Sequence, residues 1–290
     1  PTICPVVSSR PSQGRASPIK ITLEPLVANS GIIFYRKDLG VSFKAEPKNV
    51  INTQMATVIG GKEGYISTIE HLLSAINGCG IDNIRIVLDA NEVPVMDGSA
   101  ISYCMMLDEA GTAELEADKK VIVIKRPVEV NKNGKFARVT PSNNPKFDFT
   151  IKFAHPIIGE QNYVFEFSKQ SYIEEIARAR TFGFLKDVQM LRAQNLALGG
   201  SLDNAVVIDD NKILNPEGLR FENEFVRHKI LDAIGDLALV GAPILGDYTA
   251  FAGSHDLNHK LTLAVLADAK NFELVDLTAE VVREYQKVFA

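Results

Sequence analysis

Short segments in which apolar and polar residues alternate recur along most of this chain, and they constrain its fold more than any other feature. Alternation is typical of a β-strand with one buried side and one side facing solvent, and it favours antiparallel pairing. The segments are IKITLEPL, GIIFYR, NIRIVLD, VIVIKRPVEVN, KFARVTP, FDFTIKFA and YVFEFS. Only a few helical segments lie between them. The sequence therefore predicts an α+β fold with helices packed on one side of each sheet.

The charged segment AELEADKK, residues 113–120, is the best candidate for a domain boundary. It follows a helical segment that ends near Gly111 and precedes the strand VIVIKRP. At 290 residues the chain exceeds the usual size of a single core, and its 46% hydrophobic content is enough for two. We therefore predict an N-terminal domain over residues 19–119 and a C-terminal domain over residues 120–290.

The helical segment FENEFVRHKILDAIGDLALVG carries two potential metal ligands, His228 and Asp232. Positions i and i+4 of a helix lie on one face, so a single cation can bind both side chains without backbone strain. Asp236 continues this polar stripe by another four residues. The alternative is a simple surface pair, which is the more common role of this spacing. Spacing alone does not decide between the two.

A second helical segment, STIEHLLSAINGCG, has apolar residues at the spacing of a buried helical face and contains the dipeptide Glu70-His71. Ser67 precedes Glu70 by three residues, so Glu70 can simply close a capping box. A histidine beside an apolar run is also more often a core residue than a ligand. The functional alternative is that the two side chains, about 100° apart around the helix, place a base and a metal ligand around one water molecule.

Charge and composition argue against several classes of function. A net charge of −5 provides no basic surface for nucleic acid. No apolar run approaches the roughly 18 residues of a membrane span. The three cysteines form no CxxC pair and indicate reduced thiols, and GGKEG lacks the spacing and the Ser or Thr of a phosphate-binding loop.

Five motifs, in the same order along the chain, resemble those of the UDP-3-O-acyl-N-acetylglucosamine deacetylase family. They are STIEHLLSAINGCGIDNIRI, EVPVMDGSA, ARTFGF, GLRFENEFVRHKILDAIGDL and GSHDLNHKL. Members of this family are zinc-dependent amidases of lipid A synthesis, and they release acetate from an acylated UDP-sugar. The resemblance begins near Ile19 and extends into the C-terminal region. It implies two halves that share a two-layer α/β sandwich fold, with their helix layers packed together and the active site between them.

The resemblance also implies a role for each residue that matches the family motifs. The implied zinc ligands are His71, His228 and Asp232. Fe²⁺ is a second possible metal, because imidazole and carboxylate also bind iron. Glu70 would be the general base, His255 would protonate the departing amine, and Asp236 would hold the imidazolium form of that histidine.

For substrate binding, the resemblance implies contacts from three regions. Lys229 would meet the negatively charged part of the substrate, and Thr181 and Phe182 would touch the reacting centre and the sugar. Gly199 and Ser201 would belong to an insert that forms a passage for the acyl chain. The expected partner is the small-molecule substrate alone, with no nucleic acid and no membrane span, and the protein is expected to be a monomer.

Residues 1–18, PTICPVVSSRPSQGRASP, depart from the family pattern because the usual first strand and glycine-rich segment are not recognisable in them. Two arginines, several serines and no acidic residue resemble an organellar transit peptide or its remnant. That interpretation predicts a eukaryotic source and a mitochondrial location, whereas a bacterial source would mean the cytoplasm. A flexible tail or an altered gene model explains the segment equally well.

Two other functions remain open from the sequence. The altered N-terminus motivates a catalytically weak relative that binds the acylated sugar nucleotide without efficient turnover. The other alternative is a structural or interaction protein that uses this fold without a metal.

Overall fold

The computed structural model describes residues 2–3, 6–12, 15–188 and 200–278. Its strands in the first half of the chain are β1 (Thr2–Ile3), β2 (Val6–Ser12), β3 (Arg15–Pro25), β4 (Ile32–Arg36), β5 (Val41–Lys44), β6 (Val50–Asn52), β7 (Val58–Gly61), β8 (Gly64–Ile66), β9 (Ile84–Leu88) and β10 (Thr112–Ala113). Those in the second half are β11 (Lys120–Ile124), β12 (Val128–Lys132), β13 (Lys135–Thr140), β14 (Lys146–Lys152), β15 (Glu160–Glu166), β16 (Phe182–Phe184), β17 (Val206–Ile208), β18 (Ile244–Leu245), β19 (Asp247–Phe251) and β20 (Phe272–Asp276).

The described helices are fewer than the strands. The longer α-helices are α1 (Glu70–Gly78), α2 (Ile101–Ala110), α3 (Glu224–Leu237) and α4 (His255–Leu266). Residues 185–188 are also helical. Single turns occur at Pro47–Asn49, Lys169–Ser171, Tyr172–Ile176 and Ala238–Val240. Each predicted strand segment forms a strand, with VIVIKRPVEVN divided between β11 and β12. The α+β prediction is confirmed.

Two five-stranded sheets, one in each half of the chain, have the same strand order. The N-terminal sheet runs β2-β3-β9-β4-β5 and the C-terminal sheet runs β12-β13-β19-β14-β15. In each sheet the central strand pairs in parallel with one neighbour, β9 with β4 and β19 with β14. The other neighbouring strands of these two sheets pair antiparallel. One helix precedes the central strand and one follows it in each half. The residues themselves contain no repeat, so this similarity of the two halves is visible only in the topology.

The helices of the two halves pack against each other, and α1 and α3 meet most closely. Leu72 and Ile76 of α1 and Ile230 and Ile234 of α3 are completely buried. Gly235 permits the close crossing, because a Cβ added there would lie 2.0 Å from the backbone oxygen of Glu70. The first residues of α1 are therefore held directly against the last turn of α3.

The N-terminal segment differs from the prediction of a tail or transit-peptide remnant over residues 1–18. Strand β2 pairs antiparallel with β3 from Val6 opposite Leu23 to Ser12 opposite Arg15, and forms the edge of the N-terminal sheet. An edge strand tolerates proline and needs no alternating pattern, because one of its sides has no backbone partner. For this reason the sequence pattern did not reveal it.

The predicted domain boundary lies in an exposed part of the chain. Residues 113–118 are mostly exposed and connect α2 to β11, whose other neighbours β18 and β20 belong to the second half. We retain residues 19–119 and 120–290 as proposed domains, with β2 and the start of β3 added to the first.

Candidate metal and catalytic site

Three buried side chains from the two facing helices form a candidate metal site. His71 lies in the first turn of α1, whereas His228 and Asp232 lie one turn apart on α3. Their ligand atoms all lie within 4.8 Å of one another. Asp232 Oδ1 is 3.5 Å from His71 Nε2 and 3.4 Å from His228 Nε2. The structure thus brings together the three side chains that the family resemblance implied as metal ligands.

The protonation and hydrogen bonding of these groups fit a cation. His228 Nδ1 faces the backbone oxygen of Ala179 at 3.1 Å, which favours a proton on Nδ1 and leaves the lone pair on Nε2 towards Asp232. Burial lowers the pKa of His228 to about 3, so the imidazole is neutral, as a ligand must be. Asp232 Oδ1 and His71 Nδ1 are buried and have no hydrogen-bond partner among the described residues. A buried carboxylate oxygen facing two imidazoles is a donor set that zinc accepts.

Lys229 lies directly beside this cluster. Its Nζ donates a 2.6 Å hydrogen bond to Asp232 Oδ2, the oxygen that faces away from the imidazoles. The side chain is 21% exposed, so part of it faces solvent. Burial works against the charged form, but the neighbouring Asp232 carboxylate raises the pKa of Lys229 overall. Lys229 is therefore a cation at neutral pH and fixes the orientation of Asp232.

Glu70 is the first residue of α1 and lies between the His71–His228–Asp232 cluster and His255. Its Oε2 accepts a 3.0 Å hydrogen bond from the backbone N–H of Thr57, and its Oε1 is 3.9 Å from His255 Nε2. Burial raises the pKa of Glu70, while the charges of His255 and His71 partly oppose that increase. The capping-box interpretation is wrong, because the helix begins after Ile69 without a side-chain cap.

His255 begins α4, where Ser254 caps the helix by accepting a hydrogen bond from the backbone of Leu257. His255 Nδ1 faces Asp236 Oδ2 at 2.8 Å, across the packed helices α3 and α4. Burial alone would lower the pKa of His255, but the Asp236 charge and hydrogen bond, together with Glu70, raise it to about 9. The imidazole is therefore protonated at neutral pH and can donate a proton from Nε2.

The residues implied for substrate binding lie at different distances from this cluster. Phe182 packs edge-on against Phe225 and lies 6.3 Å from the His228 ring, centroid to centroid. Thr181 precedes it and is fixed by a backbone hydrogen bond to Gly98. Ser201 is exposed and forms hydrogen bonds with Asp203 and Asn204 of its own loop. Gly199 lies outside the described residues.

Sequence reasoning missed two side chains that complete the site. Thr57 precedes β7 and contacts both Glu70 and Asp236, yet it belongs to no motif and no local signal could have identified it. Asn258 donates a 2.8 Å hydrogen bond to Asp236 Oδ2 and accepts one from the hydroxyl of Tyr248. Asn258 lies one helical turn after His255, so this spacing could have indicated it.

A buried cluster of cation ligands beside a carboxylate and a charged imidazole, at the junction of two similar α+β halves, is the arrangement of a metal-dependent hydrolase. The comparison with known families specifies this class further. The chain belongs to the UDP-3-O-acyl N-acetylglycosamine deacetylase (LpxC) family, whose family model matches residues 13–267.

Curated relatives cover nearly the whole chain. A UDP-3-O-acyl-N-acetylglucosamine deacetylase of Campylobacter hominis is 73% identical over 276 residues, which are 95% of this chain and 94% of the relative. Proteins of the same name from Campylobacter fetus and Campylobacter jejuni subsp. doylei are 74% and 66% identical over the same length and shares.

These relatives are bacterial, so the comparisons do not support the eukaryotic, mitochondrial interpretation of the N-terminal segment. The structure likewise pairs that segment into a sheet. Across residues 2–3, 6–12, 15–188 and 200–278, no helix combines the length and the apolar character that crossing a membrane requires.

Proposed function

We propose that this protein hydrolyses the N-acetyl group of UDP-3-O-acyl-N-acetylglucosamine and releases acetate and UDP-3-O-acyl-glucosamine, a reaction of lipid A synthesis. The observation that carries the proposal is the placement of Glu70 and His255 beside the buried ligand cluster. The two side chains approach to 3.9 Å and come from different halves of the chain. The family membership and the names of the close relatives support the same substrate.

Zinc is the metal that we propose for this site, with His71, His228 and Asp232 as its ligands. These three side chains would hold the ion, which would supply Lewis acidity to the amide carbonyl and lower the pKa of water. Fe²⁺ is the alternative, because the same imidazole and carboxylate donors accept it.

Glu70 and His255 each carry out one of the two proton transfers. Glu70 is buried next to the ligand cluster and, when ionised, accepts a proton from the attacking water. His255 is a cation at neutral pH and donates a proton to the amine that leaves. Asp236 keeps the imidazolium charged and directs its Nε2 towards Glu70, so the two proton-transfer groups face each other. An amide needs both transfers, since its nitrogen leaves only after protonation.

Substrate contacts follow from the groups around this centre. Lys229 offers a cation at the edge of the site for a negative charge of the substrate. We propose that Thr181 and Phe182 touch the reacting centre and the sugar, and that Gly199 and Ser201 belong to the passage for the acyl chain. We also propose that the protein acts as a monomer on this soluble small molecule.

The alternative of a catalytically weak relative was motivated by a missing N-terminal strand. Strand β2 occupies the edge of the N-terminal sheet, so that motivation no longer applies.

The decisive test combines metal analysis with an assay of acetate release. We expect about one zinc per chain and release of acetate from the acylated UDP-sugar. The Glu70→Gln variant should keep its metal, because Glu70 is not a ligand, and should lose about 100-fold or more in rate. A protein that holds no metal, or a Glu70→Gln variant with wild-type turnover, would contradict the proposal.

A further inference from the structure

Thr57 contacts both halves of the catalytic apparatus, although neither the motifs nor the proposed mechanism includes it. It lies just before β7 in the N-terminal half and is 1% exposed. Its backbone N–H donates to Glu70 Oε2 at 3.0 Å, and its hydroxyl donates to Asp236 Oδ1 at 2.5 Å. Its carbonyl oxygen also accepts a hydrogen bond from the backbone of Ile69, the residue before α1.

The hydroxyl completes the hydrogen bonding of a buried carboxylate. Asp236 Oδ2 faces His255 Nδ1 and Asn258 Nδ2, both at 2.8 Å. Within the part of the chain that the structure describes, Thr57 is the only donor to the other oxygen, Oδ1. With donors on both oxygens, the carboxylate cannot rotate about its Cβ–Cγ bond without breaking hydrogen bonds, and Oδ2 stays directed at His255.

Thr57 therefore links the base to the acid across the interface between the halves. Glu70 belongs to α1 of the N-terminal half, whereas Asp236 and His255 belong to α3 and α4 of the C-terminal half. A single residue holds the Glu70 carboxylate through its backbone and the Asp236 carboxylate through its side chain. Proton transfer is sensitive to errors of about 1 Å in the placement of the groups.

We propose that Thr57 is a positioning residue that sets the placement of His255 relative to Glu70 by orienting Asp236. This inference rests on the proposed function, since it concerns the two proton-transfer residues of that reaction. Thr57 itself touches neither the ligand cluster nor, in this proposal, the substrate.

Two substitutions separate the hydroxyl from the shape of the side chain. Thr57→Val keeps the branched side chain and the backbone N–H to Glu70 but removes the donor to Asp236. Thr57→Ser keeps the hydroxyl and removes one methyl group. Thr262→Val is a matched control, because Thr262 is also fully buried, lies in α4 and donates its hydroxyl to the carbonyl of His259 instead of to a carboxylate.

We expect Thr57→Val to lower kcat about 10-fold or more, as for the loss of a hydrogen bond to a charged group, with KM and metal content unchanged. The kcat of Thr57→Ser should remain within about 3-fold of wild type. Thr262→Val should have the kcat of wild type, although it should lose about as much thermal stability as Thr57→Val. In an Asp236→Ala background, Thr57→Val should lower kcat by less than about 2-fold further, because the carboxylate that Thr57 orients is gone.

Three results would overturn the inference. They are a Thr57→Val variant with wild-type kcat, an equal loss in Thr57→Val and Thr57→Ser, and a loss of kcat that only follows a loss of metal. A wild-type protein that releases no acetate would instead refute the proposed function, and this inference with it.

Discussion

Replacing Gly235 by alanine should disrupt the metal site without touching any ligand. In most helices this substitution is stabilising by about 1 kcal/mol, because alanine restricts the unfolded chain and favours the helix. Here the added Cβ would lie 2.0 Å from the backbone oxygen of Glu70 and 2.8 Å from its carbonyl carbon. These are backbone atoms, so no side-chain rotation can relieve the contact.

The size of the effect follows from the distances. An ordinary contact begins near 3.4 Å, so the start of α1 and the last turn of α3 must separate by the difference from 2.0 Å, about 1.4 Å. Metal–ligand distances tolerate only about 0.2 Å. His71 would move with α1 and away from His228 and Asp232, which stay on α3. We expect a loss of metal affinity of 10-fold or more and a decrease in the free energy of unfolding of about 1–3 kcal/mol.

Competition with a chelator would measure the metal affinity, and thermal unfolding of the metal-free protein would measure the packing cost separately. Gly61→Ala is the matched control, because a Cβ at Gly61 has open space around it. An alanine at position 235 that leaves both metal affinity and thermal stability unchanged would show that this contact does not fix the distance between the helices.

The remaining predictions concern the ligands, the acid and the N-terminal strand. Asp232→Ala should remove most of the bound metal, which elemental analysis of the purified variant would detect; full occupancy would refute its role as a ligand. The basic limb of the pH profile of kcat should lie above 6.5 and towards the His255 pKa of about 9, because activity is lost as pH rises and the imidazolium deprotonates. In Asp236→Asn that limb should move down by more than about one pH unit, because burial lowers the pKa of His255 and the Asp236 charge no longer opposes it. An unchanged limb would exclude His255 as the acid. Deleting residues 1–14 removes β2 from the N-terminal sheet and should lower the melting temperature, whereas an unchanged melting temperature would indicate that β2 contributes little.

The parts of the fold that could be predicted from the sequence are those with local periodic patterns. Strands such as β9 and β13 alternate, and α1 and α3 repeat apolar residues at helical spacing, so short windows contain the necessary information. Strand β2 contains proline and serine at a sheet edge and has no such pattern. The shared strand order of the two sheets was expected only from the family resemblance, since it depends on pairings between distant segments.

The site was predictable to the extent that its residues lie in motifs. His228 and Asp232 are recognisable on one helix, and the resemblance supplied His71, Glu70 and His255. Thr57 could not be found, because its contacts with Glu70 and Asp236 span 13 and 179 residues of sequence. The contact with Asp236 depends on how the two halves pack, and the sequence around Thr57 does not specify that packing.

The division of the site between the two halves explains why their packing matters for chemistry as well as for stability. The N-terminal half contributes His71 and Glu70, while the C-terminal half contributes His228, Asp232 and His255. Neither half holds all three proposed ligands or both proposed proton-transfer groups, so the site is complete only when the two halves are packed together. A change that loosens the α1–α3 contact should therefore reduce metal binding and turnover before it unfolds either sheet. Contacts across this interface, such as those of Gly235 and Thr57, consequently act on function at a distance from the reacting bond.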